Sequence, residues 1–135
     1  MAQTLIPFTA SIDVQAPVME GQSDVDLPLQ LVATYTHKAA FRLEETGAGT
    51  KTLDLGSLGA NSGPGAKFVL VYINPDTSSA AIPVLVGFDP VNSPNLEVSQ
   101  GGWICVASPK PTTAGILTLK LAWTTGFKGY IWVLG

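Results

Sequence analysis

The chain has 135 residues, of which 13% are charged and 46% hydrophobic, and its formal net charge is −3. A chain of this length supports one domain with its own core, and a composition so poor in charge excludes disorder along the whole chain. Arg42 is the only arginine, and Lys38, Lys51, Lys67, Lys110, Lys120 and Lys128 are scattered, so no basic cluster is available to face phosphates and no direct nucleic-acid partner is expected.

Cys105 is the single cysteine, which excludes an intrachain disulfide. Its setting, "WICVAS", predicts an inert, buried thiol. The opening "MAQTLIPFTASIDV" lacks the basic region and long apolar run of a signal peptide. No apolar stretch reaches the length of a membrane span. The expectation is synthesis in a cytoplasm, with no membrane partner.

In chain order, alternation dominates. "SIDVQAPV" sets Ile12, Val14, Ala16 and Val18 on one face, and Pro17 marks an edge or a strand end. "LPLQLVATYT" continues with Leu29, Leu31, Ala33 and Tyr35 on one face. "AAFRLE" turns Phe41 and Leu43 inward against Arg42 and Glu44. Residues 46–65 contain six glycines and read as a long loop with one short strand near 52–55. "AKFVLVYINPD" sets Phe68, Leu70 and Tyr72 against Val69, Val71 and Ile73, so it reads as a central strand covered on both faces, closed by the "NPD" turn.

"AIPVLVGF", the segment Trp103–Ala107 after a Gly-Gly turn, and "ILTLKLAW" are three further strands. In the last of these, Leu117, Leu119, Leu121 and Trp123 share a face. The predicted core contains Phe68, Leu70, Tyr72, Val84, Val86, Leu117, Leu119 and Leu121. Eight to ten short strands with Gly/Pro turns and no helix predict an all-β, single-domain sandwich, of jelly-roll type by strand inventory. Its bounds are read as 11–135, preceded by an extended N-terminal arm over 1–10.

Candidate chemistry is sparse. His37 is the only histidine, which excludes a histidine metal cluster. A His37–Cys105 pair lacks an orienting third group. Glu20, Asp24 and Asp26 have oxygen-ligand spacing without the glycine and closing glutamate of a calcium loop. Glu44 and Glu45 are adjacent, so on a strand they point to opposite faces and form no acid–base pair. "TGAGT" lacks the lysine–serine ending of a phosphate loop. Trp103, Trp123 and Trp132 fit either burial or a sugar-stacking platform. The expectation is a non-enzymatic protein with no catalytic residue, cofactor or metal.

The last strand, Tyr130-Ile131-Trp132-Val133-Leu134, is apolar on both faces. One face belongs to the core, and the other requires a cover. Few charges together with two-faced strands point to another subunit, since obligate interfaces resemble a core cut in half. Tyr130, Ile131, Trp132 and Val133 are the candidate interface residues. Leu5, Ile6 and Phe8 of the arm join them, because an apolar arm ahead of the first clear alternation needs a neighbour to lie on.

"KFVLVYINPDTSSAAIPVLVGFDP", "VSQGGWICVASPKP" and "GILTLKLAWTTGFKGYIWVLG" resemble small all-β virion proteins of tailed bacteriophages over residues 66–135. The likeness lies in the order of elements: an apolar strand ending in an Asn-Pro turn, a second strand, then a Gly-bearing turn feeding the last strands. It implies a capsid decoration (cement) protein or head-fibre base. Such a protein sits on the major capsid protein of a phage shell as a homo-oligomer, with a trimer expected, and its localisation is the virion. The alternative is a glycan- or receptor-binding β-sandwich module at a fibre tip.

Overall fold

The computed structural model describes residues 6–16, 25–35, 38–56, 65–75, 83–108 and 114–135, and within the first two segments only the side chains of Thr9 and Ser11. Among the described residues there are ten strands and no helix, and no helix is long and apolar enough to cross a membrane. The strands are β1 (Ile6–Ala16), β2 (Val25–Tyr35), β3 (Lys38–Glu45), β4 (Gly49–Asp54), β5 (Phe68–Ile73), β6 (Val84–Gly87), β7 (Leu96–Val98), β8 (Trp103–Ala107), β9 (Thr118–Trp123) and β10 (Phe127–Leu134).

β3 to β10 form a β-sandwich of two antiparallel four-stranded sheets, ordered β3-β10-β5-β8 and β4-β9-β6-β7. Consecutive strands are therefore mostly split between the sheets. The core fills the space between them with Leu43, Val69, Val71, Ile73, Ile131 and Val133 from one sheet and Val84, Val86, Val98, Leu119, Leu121 and Trp123 from the other. β-Branched residues predominate, as suits strands whose inward side chains interdigitate across roughly 10 Å.

β1 and β2 make a separate two-stranded antiparallel sheet, with Ile6 opposite Tyr35 and Ala16 opposite Val25. β1 thus runs through residue 10, the expected end of the arm, as far as Ala16, and Pro17 lies outside the described residues. The Gly-rich stretch after residue 46 contains β4, whose six residues pair with β9. In the Gly-Gly turn, Gly101 has a φ of +78°, which glycine adopts without penalty, and its amide donates to the Ile73 carbonyl at 2.9 Å.

The core assignment needs two corrections. In β5 the inward set is Val69, Val71 and Ile73, and Leu70 and Tyr72, only half-buried, lie on the outer face with Phe68, which is nonetheless buried as expected. A strand apolar on both sides leaves its orientation to whichever set packs better, and here the compact aliphatic set lies between the sheets. Leu117 is exposed, because β9 begins only at Thr118 and the Leu117 carbonyl accepts from the Leu55 amide at 2.8 Å beyond the strand pairing. Val84, Val86, Leu119 and Leu121 are fully buried as expected.

Candidate interaction surface

The two sheets present very different outer faces. In antiparallel sheets directly opposed residues share a face, so the registers read out each surface. On β4-β9-β6-β7, one outer row runs Thr50, Ala122, Leu85, Glu97, the next Thr52, Lys120, Gly87, and the last Asp54, Thr118. That face is polar, with small or charged residues nearly throughout.

On β3-β10-β5-β8, one row runs Arg42, Tyr130, Tyr72, Trp103 across all four strands. The next runs Ala40, Trp132, Leu70, Cys105, and the third Lys38, Leu134, Phe68, Ala107. Eight of these twelve positions are aromatic, aliphatic or thiol side chains larger than alanine. Trp103, Trp132 and Tyr130 are 50%, 44% and 39% exposed. The charges keep to the β3 side and one end: Lys38, Arg42, Glu44 and Lys128. Arg42 and Glu44, both more than half exposed, pair at 2.9 Å, a contact of small energetic weight.

This geometry separates the sequence-derived interface residues. Tyr130 and Trp132 lie on the outer face, whereas Ile131 and Val133 are fully buried between the sheets and offer nothing to a partner. Ile6 and Phe8 share a face of β1 by register, and Leu5 lies outside the described residues. Tyr72, expected in the core, and Trp103, expected either buried or on a sugar-stacking platform, also lie on this face. The signal was the segregation in β5, with aromatics on one side and β-branched residues on the other.

The tryptophans also divide. Trp123 is buried, its indole N–H donates to the Gly47 carbonyl at 2.6 Å, and its ring meets Phe127 edge-on with centroids 5.2 Å apart. That is a structural role. Trp103 and Trp132 remain open. Cys105 is half-buried on the same outer face, and burial pushes its thiol above the ordinary pKa.

Elsewhere the chemistry is thin. An open cleft of roughly 590 Å³ at one end of the sandwich is lined by Glu45, Asn74, Gln100, Thr125, Phe127 and Lys128 among others. Glu45 is its one carboxylate among the described residues, and Glu44 lies on the outer face. No group of three His, Cys, Asp or Glu side chains among the described residues is placed to hold a metal. His37, Glu20 and Asp24 lie outside the described residues, as does the side chain of Asp26.

Asp89 organises the β6–β7 connection. Its carboxylate accepts from the Val91 amide at 2.8 Å and from the Asn92 side chain at 2.7 Å, and these bonds hold its pKa below the usual value. Lys120 Nζ donates to the Pro90 and Asn92 carbonyls at 2.8 and 3.2 Å, tying the same loop to β9. These are structural devices on the polar side of the sandwich. Comparison of the chain with protein-family models, curated proteins and solved structures finds no match to any of them.

Proposed function

We propose that the protein is a non-enzymatic virion structural protein, a capsid decoration or cement protein that binds a phage shell as a homo-oligomer, read as a trimer. The observation that carries this reading is the contrast between the outer faces. One is polar, and the other sets Tyr130, Tyr72, Trp103, Trp132 and Leu70 side by side. Contiguous apolar surface of this kind marks contact sites, and aromatic residues are the usual anchors of such contacts. A second support is the strand order. The first and last sandwich strands are paired, and apart from the β6–β7 hairpin the chain alternates between sheets. We read that order as a jelly roll, an architecture used by capsid proteins and lectins.

Two measurements test the reading. Native mass spectrometry should give a multiple of the 14.1 kDa chain. Proteomics of purified particles from cells carrying the gene should find the protein in stoichiometric amounts with the major capsid protein. A stable monomer, or absence from particles, sinks it. The exposure of Trp103 and Trp132 on one face supports the second reading, a glycan- or receptor-binding module. A glycan array separates the two, since a cement protein leaves it blank.

A further inference from the structure

We infer that the outer face of β3-β10-β5-β8 is the seat for the β1–β2 hairpin of a second copy of this chain, so that the oligomer forms by exchange of hairpins. This rests on reading that face as a docking surface, and it names the occupant.

The register of β1 with β2 is the first ground. It places Ile6, Phe8, Ala10, Ile12, Val14 and Ala16 opposite Tyr35, Ala33, Leu31, Leu29, Leu27 and Val25. By the two-residue period these twelve positions share one face, and none carries a charged or amide residue. The other face holds Pro7, Thr9, Ser11, Asp13 and Gln15 opposite Thr34, Val32, Gln30, Pro28 and Asp26. Thr9 and Ser11 of that face are exposed. A two-stranded ribbon is barely stable alone, so one with a wholly apolar face requires a surface to cover. The sandwich offers one such surface.

Charge is the second ground. Residues 1–37 contain Asp13, Glu20, Asp24 and Asp26 and no lysine or arginine, so that segment carries −4 of the net −3 and the remainder carries +1. The rim of the aromatic face carries Lys38, Arg42 and Lys128 against the single acid Glu44. An acidic ribbon approaching this rim meets opposite charge.

The third ground is area. A ribbon of eleven-residue strands covers roughly 36 by 10 Å, and four strands of about six residues cover roughly 19 by 20 Å. Each surface is therefore on the order of 400 Å², and one full seat buries at most about 800 Å², below the roughly 1,200 Å² of a specific interface. Reciprocal exchange supplies two seats in a dimer and one more for every further copy in a closed ring.

The hairpin of the same chain is the competing occupant. Phe68 and Leu134 at one end of this face are already buried in the single chain, yet Trp103, Trp132 and Tyr130 stay exposed there. Two residues separate Tyr35 from β3, the edge strand farthest from β8 in this sheet. Trp103 on β8 is three strand spacings away, about 14 Å.

Cys105 is a native probe, since it pairs with Leu70 on the seat. In the full-length chain, Ala10→Cys and Ala33→Cys introduce thiols on the apolar face of the hairpin, and Thr9→Cys and Ser11→Cys introduce them on the polar face. After mild oxidation, the apolar-face variants should form disulfides to Cys105 between chains, seen as covalent multimers on non-reducing gels. Peptide mapping assigns the bridge, and the polar-face variants should remain single chains.

Leu29→Asp should convert the oligomer to monomer on native mass spectrometry, and Gln30→Asp should not, with circular dichroism confirming a folded sandwich in both. A disulfide to Cys105 within one chain overturns the inference, because the hairpin then covers its own sheet. An oligomer with no such bridges, or one unaffected by Leu29→Asp, also overturns it while leaving the docking-face reading intact. A monomer that binds particles through Trp132 makes the shell the occupant and equally overturns the exchange. A monomer that binds no particle sinks both readings.

Discussion

Ile131 and Trp132 are consecutive in β10 and lie on opposite sides of the sheet, Ile131 with no exposed surface and Trp132 44% exposed. The pair dissects folding from assembly. Ile131→Ala should cost about 2–5 kcal/mol in urea unfolding, as a packed core site does, and Ile131→Asp should abolish the fold by burying an unpaired charge. Trp132→Ala should cost about 1 kcal/mol or less, the scale of cross-strand pairs, and should still remove the oligomer. A Trp132→Ala protein that assembles normally on native mass spectrometry would remove β10 from the interface.

Trp123 should behave as a core anchor. Trp123→Phe keeps the edge-on ring contact and deletes the hydrogen bond to Gly47, so a loss of about 0.5–1.5 kcal/mol is expected. Trp123→Ala should lose about 3–5 kcal/mol. Chemical denaturation with an unchanged m-value checks both, and glycan binding should be unaffected by either.

Asp89 predicts an acid-sensitive loop. Its bonds from the Val91 amide, the Asn92 side chain and the Asn92 amide lower its folded-state pKa, with Lys120 adding to the effect. The contribution is therefore fully present above the unfolded carboxylate value and is lost as pH falls through the lower, folded value. Hydrogen exchange at Val91 and Asn92 should be faster in Asp89→Ala than in the parent at neutral pH, with the β5 amides unchanged. Equal exchange in the two proteins would show that Lys120 holds the loop unaided.

Cys105 should be a slow thiol. Burial raises its pKa, so less thiolate is present at neutral pH, and the rate of alkylation should climb with pH later than that of free cysteine. For stability the sign follows from the neutral form being favoured in the folded state. The contribution is complete below the unfolded thiol value and declines as pH rises from there through the folded one. Alkylation as fast as free cysteine at pH 7 would place the thiol in open solvent.

Gly129 occupies β10 where the Tyr72 carbonyl approaches so closely that a Cβ would collide with it. Gly129→Ala should therefore destabilise the sandwich, since backbone atoms of two paired strands must separate. A thermal midpoint equal to the parent's would show that the sheet yields at no cost.

Much of the fold was legible in the sequence, because period-two alternation and turn residues are local properties. β1 and β2 lie over the alternating segments, and the Gly-Gly turn fell where Gly101 takes its positive φ. The apolar character of both sides of β10 was also legible, and its outer side carries Tyr130 and Trp132.

Composition and alternation were enough for the class: β-strands, their approximate spans, and no helix. Which surface faces outward was decided only by tertiary structure. In β5 both sets are apolar, so alternation alone leaves Val69, Val71 and Ile73 equivalent to Phe68, Leu70 and Tyr72. The sandwich breaks that tie, because one set must interdigitate with Val84, Val86, Leu119 and Leu121 across a fixed gap. The row Arg42, Tyr130, Tyr72, Trp103 joins residues up to 88 positions apart, from 42 to 130. Pairing at such separations follows from how whole sheets close on each other, and no local pattern in the chain encodes it.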